Sequence, residues 1–250
     1  MPSPPPASPT LPDSSRKPLG FVRARLSPEG YLGLHLTIGM MAVLLAVFVF
    51  ANIAEDVMTN DGLVLFDERV LQWLRLHATP TLTALFIFVT TMHNTLGVLL
   101  MTCLLAMWMG AKKRWDWVLL VLLSVPLGML LNWLLKSVFQ RDRPIFDQPI
   151  LTLVTYSFPS GHTAAATLFY GVLAAWLLTL LHRAWWAPVV VVAAGMVLLV
   201  ALSRVYLGVH YPSDVLAAMA SSTAWLAITF TGVATWRKRQ RFVLNRSRPT

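Results

Sequence analysis

The chain has 250 residues, of which 56% are hydrophobic and only 12% charged, and its formal net charge is +9. Soluble domains carry about 25% charged residues, and the apolar excess here falls in long blocks, so the composition excludes an ordinary soluble globule and points to one compact integral membrane domain. The cations are not gathered on one polar face, which argues against a nucleic-acid partner, and the single cysteine, Cys103, rules out a disulfide framework within the chain.

Residues 1–30 open the chain with Pro2, Pro4, Pro5, Pro6, Pro9, Pro12 and Pro18 among serines. Such a segment buries too little apolar surface to offset ordering and is expected to be a disordered cytoplasmic tail. The run from Tyr31 to Ile53 is long enough to span a bilayer and reads as an uncleaved anchor. A polar loop, Glu55 to Gly62, follows. From Leu65 to Leu76, Phe66, Val70, Trp73, Leu74 and His77 recur at helical spacing, with Asp67, Glu68, Arg69 and Arg75 at the other positions. This predicts a short helix in the membrane interface, broken by Pro80. Leu82 to Gly110 is too long for one straight span, and Thr90, Thr91, His93 and Asn94 interrupt it. The expected span is Asn94 to Gly110, with 82–93 as a kinked or interfacial lead-in.

Four further spans follow: Trp115 to Leu135, Thr163 to Leu181, Trp185 to Tyr206 and Ser213 to Thr235. Trp115, Trp117, Trp185, Trp186 and Trp236 cluster at their ends, where indoles favour the interface. The expected architecture is all-α: a polytopic domain, 31–236, of six transmembrane helices with a short interfacial helix between the first two. A basic cytoplasmic tail, 237–250, completes the chain.

Lys and Arg placement sets the orientation. With the N-terminus inside, the cytoplasmic side receives Arg16, Lys17, Arg23, Arg25, Lys112, Lys113, Arg114, Arg183, Arg237, Lys238, Arg239, Arg241, Arg246 and Arg248. The other side receives Arg69, Arg75, Lys136, Arg141, Arg143 and Arg204. Three polar islands then share the outer side: Lys136 to Pro144, Phe158 to His162, and Ser203-Arg204 with His210 and Asp214. Ionisable groups in or near lipid are costly, so such a cluster signals a functional site.

Arg143 and Arg204 present planar donor forks that suit phosphate oxygens, and Lys136 adds a compact charge. Arg141 reads as an interfacial cation snorkelling to water, and Asp142 as a local salt-bridge or turn partner. Ser160-Gly161-His162 opens a helix. The free backbone N–H groups there attract anions, Gly161 admits close approach and the Ser160 hydroxyl adds a donor; a plain serine cap is the alternative. Asp214, four residues after His210, can fold back on the imidazole and fix its tautomer. The free nitrogen of His210 could then attack phosphorus, with His162 as general acid. A metal centre fits poorly, because three cations would repel it and no carboxylate cluster offsets them.

The spacings K-x6-R-P at Lys136–Pro144, P-S-G-H at Pro159–His162 and S-R-x5-H-x3-D at Ser203–Asp214 resemble the signature of the type 2 phosphatidic acid phosphatase (PAP2) superfamily, in particular its membrane lipid phosphatases. The resemblance spans roughly residues 60–235. It implies a six-helix core, His210 as nucleophile, Asp214 as its orienting partner and His162 as general acid. It further implies Lys136, Arg143, Ser160, Gly161, His162 and Arg204 as phosphate ligands, with no metal or other cofactor. The expected activity is hydrolysis of a lipid phosphate or diphosphate, such as undecaprenyl diphosphate, phosphatidylglycerol phosphate or phosphatidic acid, through a phosphohistidine. The expected location is a bacterial inner membrane, with termini cytoplasmic and site periplasmic. Membrane lipids and the substrate are the expected partners, and no obligatory protein partner is evident. A lipid phosphotransferase with the same site, or a transporter binding a phospholipid without turnover, are the alternatives. His35, His77, His93 and His182 are expected to be structural or interfacial.

Overall fold

The computed structural model describes residues 34–146, 150, 151 and 153–246. The expected tail, residues 1–30, and the last four residues of the basic tail lie outside them. Among the described residues the regular elements are helices: α1 (Leu34–Thr59), α2 (Gly62–Leu76), α3 (Pro80–Met92), α4 (Thr95–Ala111), α5 (Trp115–Phe139), α6 (Gly161–Leu180), α7 (Trp186–Tyr206, after a 3-10 turn at Arg183–Trp185) and α8 (Pro212–Arg246). Five of them, α1, α5, α6, α7 and α8, are long and apolar enough to cross a membrane. The pair α3–α4, bent by 54° at its break, is long and apolar enough only when taken together, and counts as a sixth crossing if it forms one broken span rather than a re-entrant loop. The chain is thus an all-α, multi-pass membrane protein. A helix as the spanning element satisfies every backbone polar group internally, which hydrocarbon requires.

The bend follows from local chemistry. Pro80 does not merely end the preceding segment; it sits in the first turn of α3, where its missing N–H costs nothing, and the Thr79 hydroxyl accepts from Leu82 N at 3.3 Å. His93 closes α3, and the Asn94 side chain then accepts from Gly97 N at 2.7 Å to start α4.

α6 is the centre of the bundle and packs on α4, α5, α7 and α8. Its run Ala164-Ala165-Ala166-Thr167 is buried, and such small side chains let neighbouring backbones approach. Val98 and Met109 of α4, Leu120, Val121 and Val125 of α5, and Leu168, Val172 and Trp176 of α6 form the main core. α1 lies outside, packed along α8, and turns Met41, Leu44, Leu45 and Phe48 outward, as a lipid-facing helix should.

α2 corrects the expected helix face. Val70 and Leu74 do pack inward, with Leu71, but Phe66 and Trp73 are exposed, and Asp67, assigned to the polar side, is fully buried. The reason is a cationic partner, described below. At the far end α8 continues to Arg246, so residues 237–246 are helix; there Arg237 Nη1 donates to Asp116 Oδ2 at 2.8 Å, tying α8 to the start of α5. The turn from α7 to α8 contains Gly208 at φ +71°, a left-handed conformation that favours glycine. A Cβ there would meet the Phe146 ring at 2.7 Å, so this turn is packed tightly just ahead of His210.

Candidate active site

Four segments converge at one end of the bundle: the end of α5 with the loop after it, the start of α6, the end of α7, and the α7–α8 turn with the start of α8. Each owes its place to a helix terminus. Lys136 lies in the last turn of α5, Gly161 and His162 open α6, Arg204 lies in the last turn of α7, and Asp214 in the first turn of α8. Termini are where backbone donors and acceptors go unpaired and where charged side chains can reach them.

His210 is 1% exposed, and its Nδ1 lies 3.2 Å from Asp214 Oδ2. The Asp214 carboxylate also accepts from Tyr211 N at 2.9 Å, from the Ser157 hydroxyl and from Arg141 Nη1 at 2.7 Å. An anionic acceptor at Nδ1 favours the proton there, which leaves the Nε2 lone pair free. Arg143 Nη1 lies 3.3 Å from that Nε2, in donor geometry. Burial pushes the His210 imidazole down to about 3, against the opposing pull of Asp214, so the ring is neutral at physiological pH.

Arg143 is held by its surroundings. Its Nε donates to Thr155 O at 2.6 Å, and its Nη2 to Thr155 Oγ1 at 2.9 Å and Tyr156 O at 3.0 Å. Burial lowers its pKa from the ordinary guanidinium value, with Asp214 pulling the other way. Lys136 Nζ donates to Tyr156 O at 2.7 Å and Ser157 O at 3.1 Å. Arg204 is 2% exposed; its Nη1 donates to Thr90 Oγ1, and its Nε is buried with no partner. A buried, unsatisfied guanidinium N–H is costly and marks a place for an acceptor. The Ser157 hydroxyl bonds Asp214 while its carbonyl takes Lys136, Ser160 N–H bonds Asp214 O, and Val209 N–H, next to His210, bonds Arg204 O, so the ends of α5, α6, α7 and α8 meet around His210.

At the start of α6, Ser160 is fully buried. Its N–H is taken by Asp214 O at 3.0 Å, and its hydroxyl accepts from Thr163 Oγ1 at 3.0 Å, which leaves the hydroxyl proton to donate. The Ser160 N–H is thus already engaged, and an anion at this terminus would meet the backbone N–H groups of Gly161 and His162 instead. A Cβ on Gly161 would meet only Asn132 Nδ2 at 3.7 Å and Lys136 Cε at 3.8 Å, ordinary contacts. The protein itself does not need a glycine here; the space a side chain would fill lies beside Asn132 and Lys136.

All eight singled-out residues thus lie in one site, and Arg141 joins them. It does not snorkel to water: its guanidinium bridges Asp214 and Asp67, the latter from Nη2 at 2.9 Å, and stacks at 4.0 Å over Tyr211. Two carboxylates attract one guanidinium more strongly than the interface does. Asp67, Thr90, Thr155 and Ser157 were not singled out. Ser157 stands three residues before Ser160 in the second island and Thr90 in the polar break before α4, and proximity to those features was the only hint. Elsewhere, His93 is buried, with Nδ1 2.8 Å from Val89 O and Nε2 2.8 Å from Tyr170 Oη, a satisfied core histidine. His77 stacks on Trp73 at the surface, His182 caps the 3-10 turn, and His35 contacts Thr235 and Lys238.

Fold and site define a helical, multi-pass membrane protein that gathers three cations and two histidines at one end of its bundle. Residues 117–238 match the model of the PAP2 superfamily. Phosphatidylglycerophosphatase B of Bacillus subtilis (strain 168) is 41% identical over 110 residues, covering 42% of this chain and 52% of that protein. The match therefore spans about half the length of that relative. Undecaprenyl-diphosphatase BcrC of the same organism is 29% identical over 148 residues, 57% of this chain and 70% of that one. Among solved structures, a transmembrane PAP2 type phosphatidylglycerolphosphate phosphatase from Bacillus subtilis superposes with a TM-score of 0.68 at 28% identity, covering 75% of this chain and 94% of that one.

Proposed function

We propose that this protein is a membrane lipid phosphatase that hydrolyses a lipid phosphate or diphosphate, phosphatidylglycerol phosphate and undecaprenyl diphosphate being the first candidates. The observation that carries the reading is the His210 ring: Nδ1 anchored on the buried Asp214 carboxylate and Nε2 turned to the Arg143 guanidinium, so that the basic nitrogen points into the cationic site. Binding a phosphate would need the cations but not an oriented imidazole, which disfavours a transporter.

In the reaction, the substrate phosphate is held by Lys136, Arg143, Arg204, the Ser160 hydroxyl and the N–H groups of Gly161 and His162. His210 Nε2 attacks phosphorus, the bond to the lipid oxygen breaks, and His162 gives that oxygen a proton. The phosphohistidine is then attacked by a water whose proton passes to His162; the N–P bond breaks and inorganic phosphate leaves. The fixed cations stabilise the equatorial oxygens as charge spreads onto them. The reading uses no metal, because Lys136, Arg143 and Arg204 supply the positive charge that the transferring phosphoryl group calls for. The Lys and Arg distribution supports an outward-facing site with both termini in the cytoplasm.

The test is phosphate release from a panel of lipid mono- and diphosphates in detergent micelles, with and without chelator, for the wild type and His210→Ala. Chelator-insensitive release that vanishes in His210→Ala is expected. Residual hydrolysis by a folded His210→Ala protein sinks the nucleophile assignment, and no release from any substrate sinks the phosphatase reading.

A further inference from the structure

The charge network behind His210 does not stop at Asp214. Arg141, from the loop after α5, places Nη1 2.7 Å from Asp214 Oδ1 and Nη2 2.9 Å from Asp67 Oδ2. Asp67 itself is fully buried on α2, outside the residues matched to the superfamily. Its Oδ1 accepts from Ser213 N at 2.9 Å, and its Oδ2 also accepts from the Ser213 hydroxyl. Ser213 is the second residue of α8 and Asp214 the third. One carboxylate from the interfacial helix thus caps the helix that carries Asp214 and clamps the arginine that grips Asp214.

We propose that Asp67 is a positioning residue for the reaction at His210, acting through Arg141 and Ser213 on Asp214. The inference rests on the function proposed above. Two physical effects support it. Geometrically, Asp214 must keep Oδ2 at His210 Nδ1 while Oδ1 is bound elsewhere, and the direction of Oδ1 is set by a guanidinium whose other arm is fixed to Asp67. A planar fork held at both ends transmits position with little slack. Electrostatically, Arg141 alone would drain charge from Asp214 and make His210 a weaker nucleophile. The second carboxylate balances Arg141, so Asp214 keeps its hold on the imidazole proton. A buried carboxylate that only stabilised α8 would need the two Ser213 contacts and no link to Arg141.

Asp67→Asn tests this, because the amide oxygen can still accept from Ser213 N while the charge and the pull on Arg141 are lost. Glu68→Gln is the control: it removes a charge from the same helix at an exposed position. The measurements are kcat and KM for lipid phosphate in micelles, the competitive inhibition constant of inorganic phosphate, and the burst amplitude of phosphoenzyme per mole of protein in rapid-quench experiments. The expected result is a fall in kcat of at least tenfold for Asp67→Asn, with KM, phosphate inhibition and burst amplitude within threefold of the wild type. Glu68→Gln should match the wild type. A fall in burst amplitude with an unchanged rate per active site would mean a merely structural role, and an unchanged kcat would also overturn the proposal. Should Asp67→Asn not fold, Asp67→Glu takes its place: the charge is kept while the longer side chain shifts the Arg141 fork, so the protein should fold with kcat still reduced and KM within threefold of the wild type, and a wild-type kcat would overturn the inference. An active wild type with a dead His210→Ala keeps the phosphatase reading standing even if Asp67 proves inert.

Discussion

Replacing Gly161 by alanine separates what the protein needs at the start of α6 from what a phosphate would need. The added methyl would meet Asn132 Nδ2 at 3.7 Å and Lys136 Cε at 3.8 Å, distances of ordinary contact, and φ at this residue lies outside the left-handed region. The fold should accept it. Alanine is favoured over glycine in a helix interior by about 1 kcal/mol and by less in the first turn, so stability should stay level or rise slightly. Binding should respond in the opposite sense. A phosphate oxygen bonded to the Gly161 N–H lies about 2.9 Å from that nitrogen, and the methyl would take space beside Lys136, a cation proposed to hold the same phosphate. Losing one hydrogen bond to a charged acceptor costs about 1.5–3 kcal/mol, which is a roughly 10- to 150-fold loss of affinity. The assay pairs thermal unfolding in detergent with the competitive inhibition constants of inorganic phosphate and vanadate. A melting temperature at or above that of the wild type, with both inhibitors weakened, is the expected result. Wild-type inhibition in Gly161→Ala would refute a phosphate seat at this terminus, and a drop of several degrees would refute the account of the space around Gly161.

Two other predictions follow from the buried charges. Arg141→Ala should destabilise the protein by about 3–5 kcal/mol, because it leaves two buried carboxylates without their shared cation; a melting temperature within two degrees or so of the wild type would restore the view of Arg141 as an interfacial cation. The His210 imidazole is held below its unfolded value of 6.5, down to about 3, chiefly by burial. Between those values the unfolded state binds a proton that the folded state refuses, so stability falls as pH drops through this window, by up to about 1.4 kcal/mol per pH unit. His210→Gln should therefore show a shallower loss of melting temperature between pH 6.5 and 4 than the wild type; parallel slopes would mean that His210 is not the group responsible.

Much of the fold was legible because hydrocarbon imposes a length and an apolar composition on each crossing. α5, α7 and α8 begin within a residue of the expected positions, since tryptophans, Pro212 and the short polar links mark them in the sequence. The broken second crossing was harder. Its two helices meet at His93 and Asn94, polar residues whose capping role depends on the bend itself. α8 carries on past the expected end of its span at Thr235 into the basic segment; the pairing of Arg237 with Asp116, across 121 positions, is invisible to any local pattern.

The same distinction between local spacing and distant pairing decides how far the site could be read. His210 and Asp214 are four apart, and helical geometry alone brings one over the other. Lys136, Arg143 and Arg204 stand out because each is a cation among apolar residues. Asp67 offered no such contrast. It lies beside Glu68 and Arg69 on an amphipathic segment, where a carboxylate ordinarily faces water, and its partners are 74 and 146 positions away. Arg141 was misjudged for the complementary reason: with no visible anion, water was its natural destination. Each residue made sense only in the presence of the other, and both only once α2 was laid against the start of α8. Asp67 also satisfies the first free N–H of α8, that of Ser213, so the same contact that hides the charge stabilises the helix carrying Asp214. A charge that looks like surface in the sequence can thus lie buried beside Asp214, because burying it costs little once a fork and a helix terminus share it.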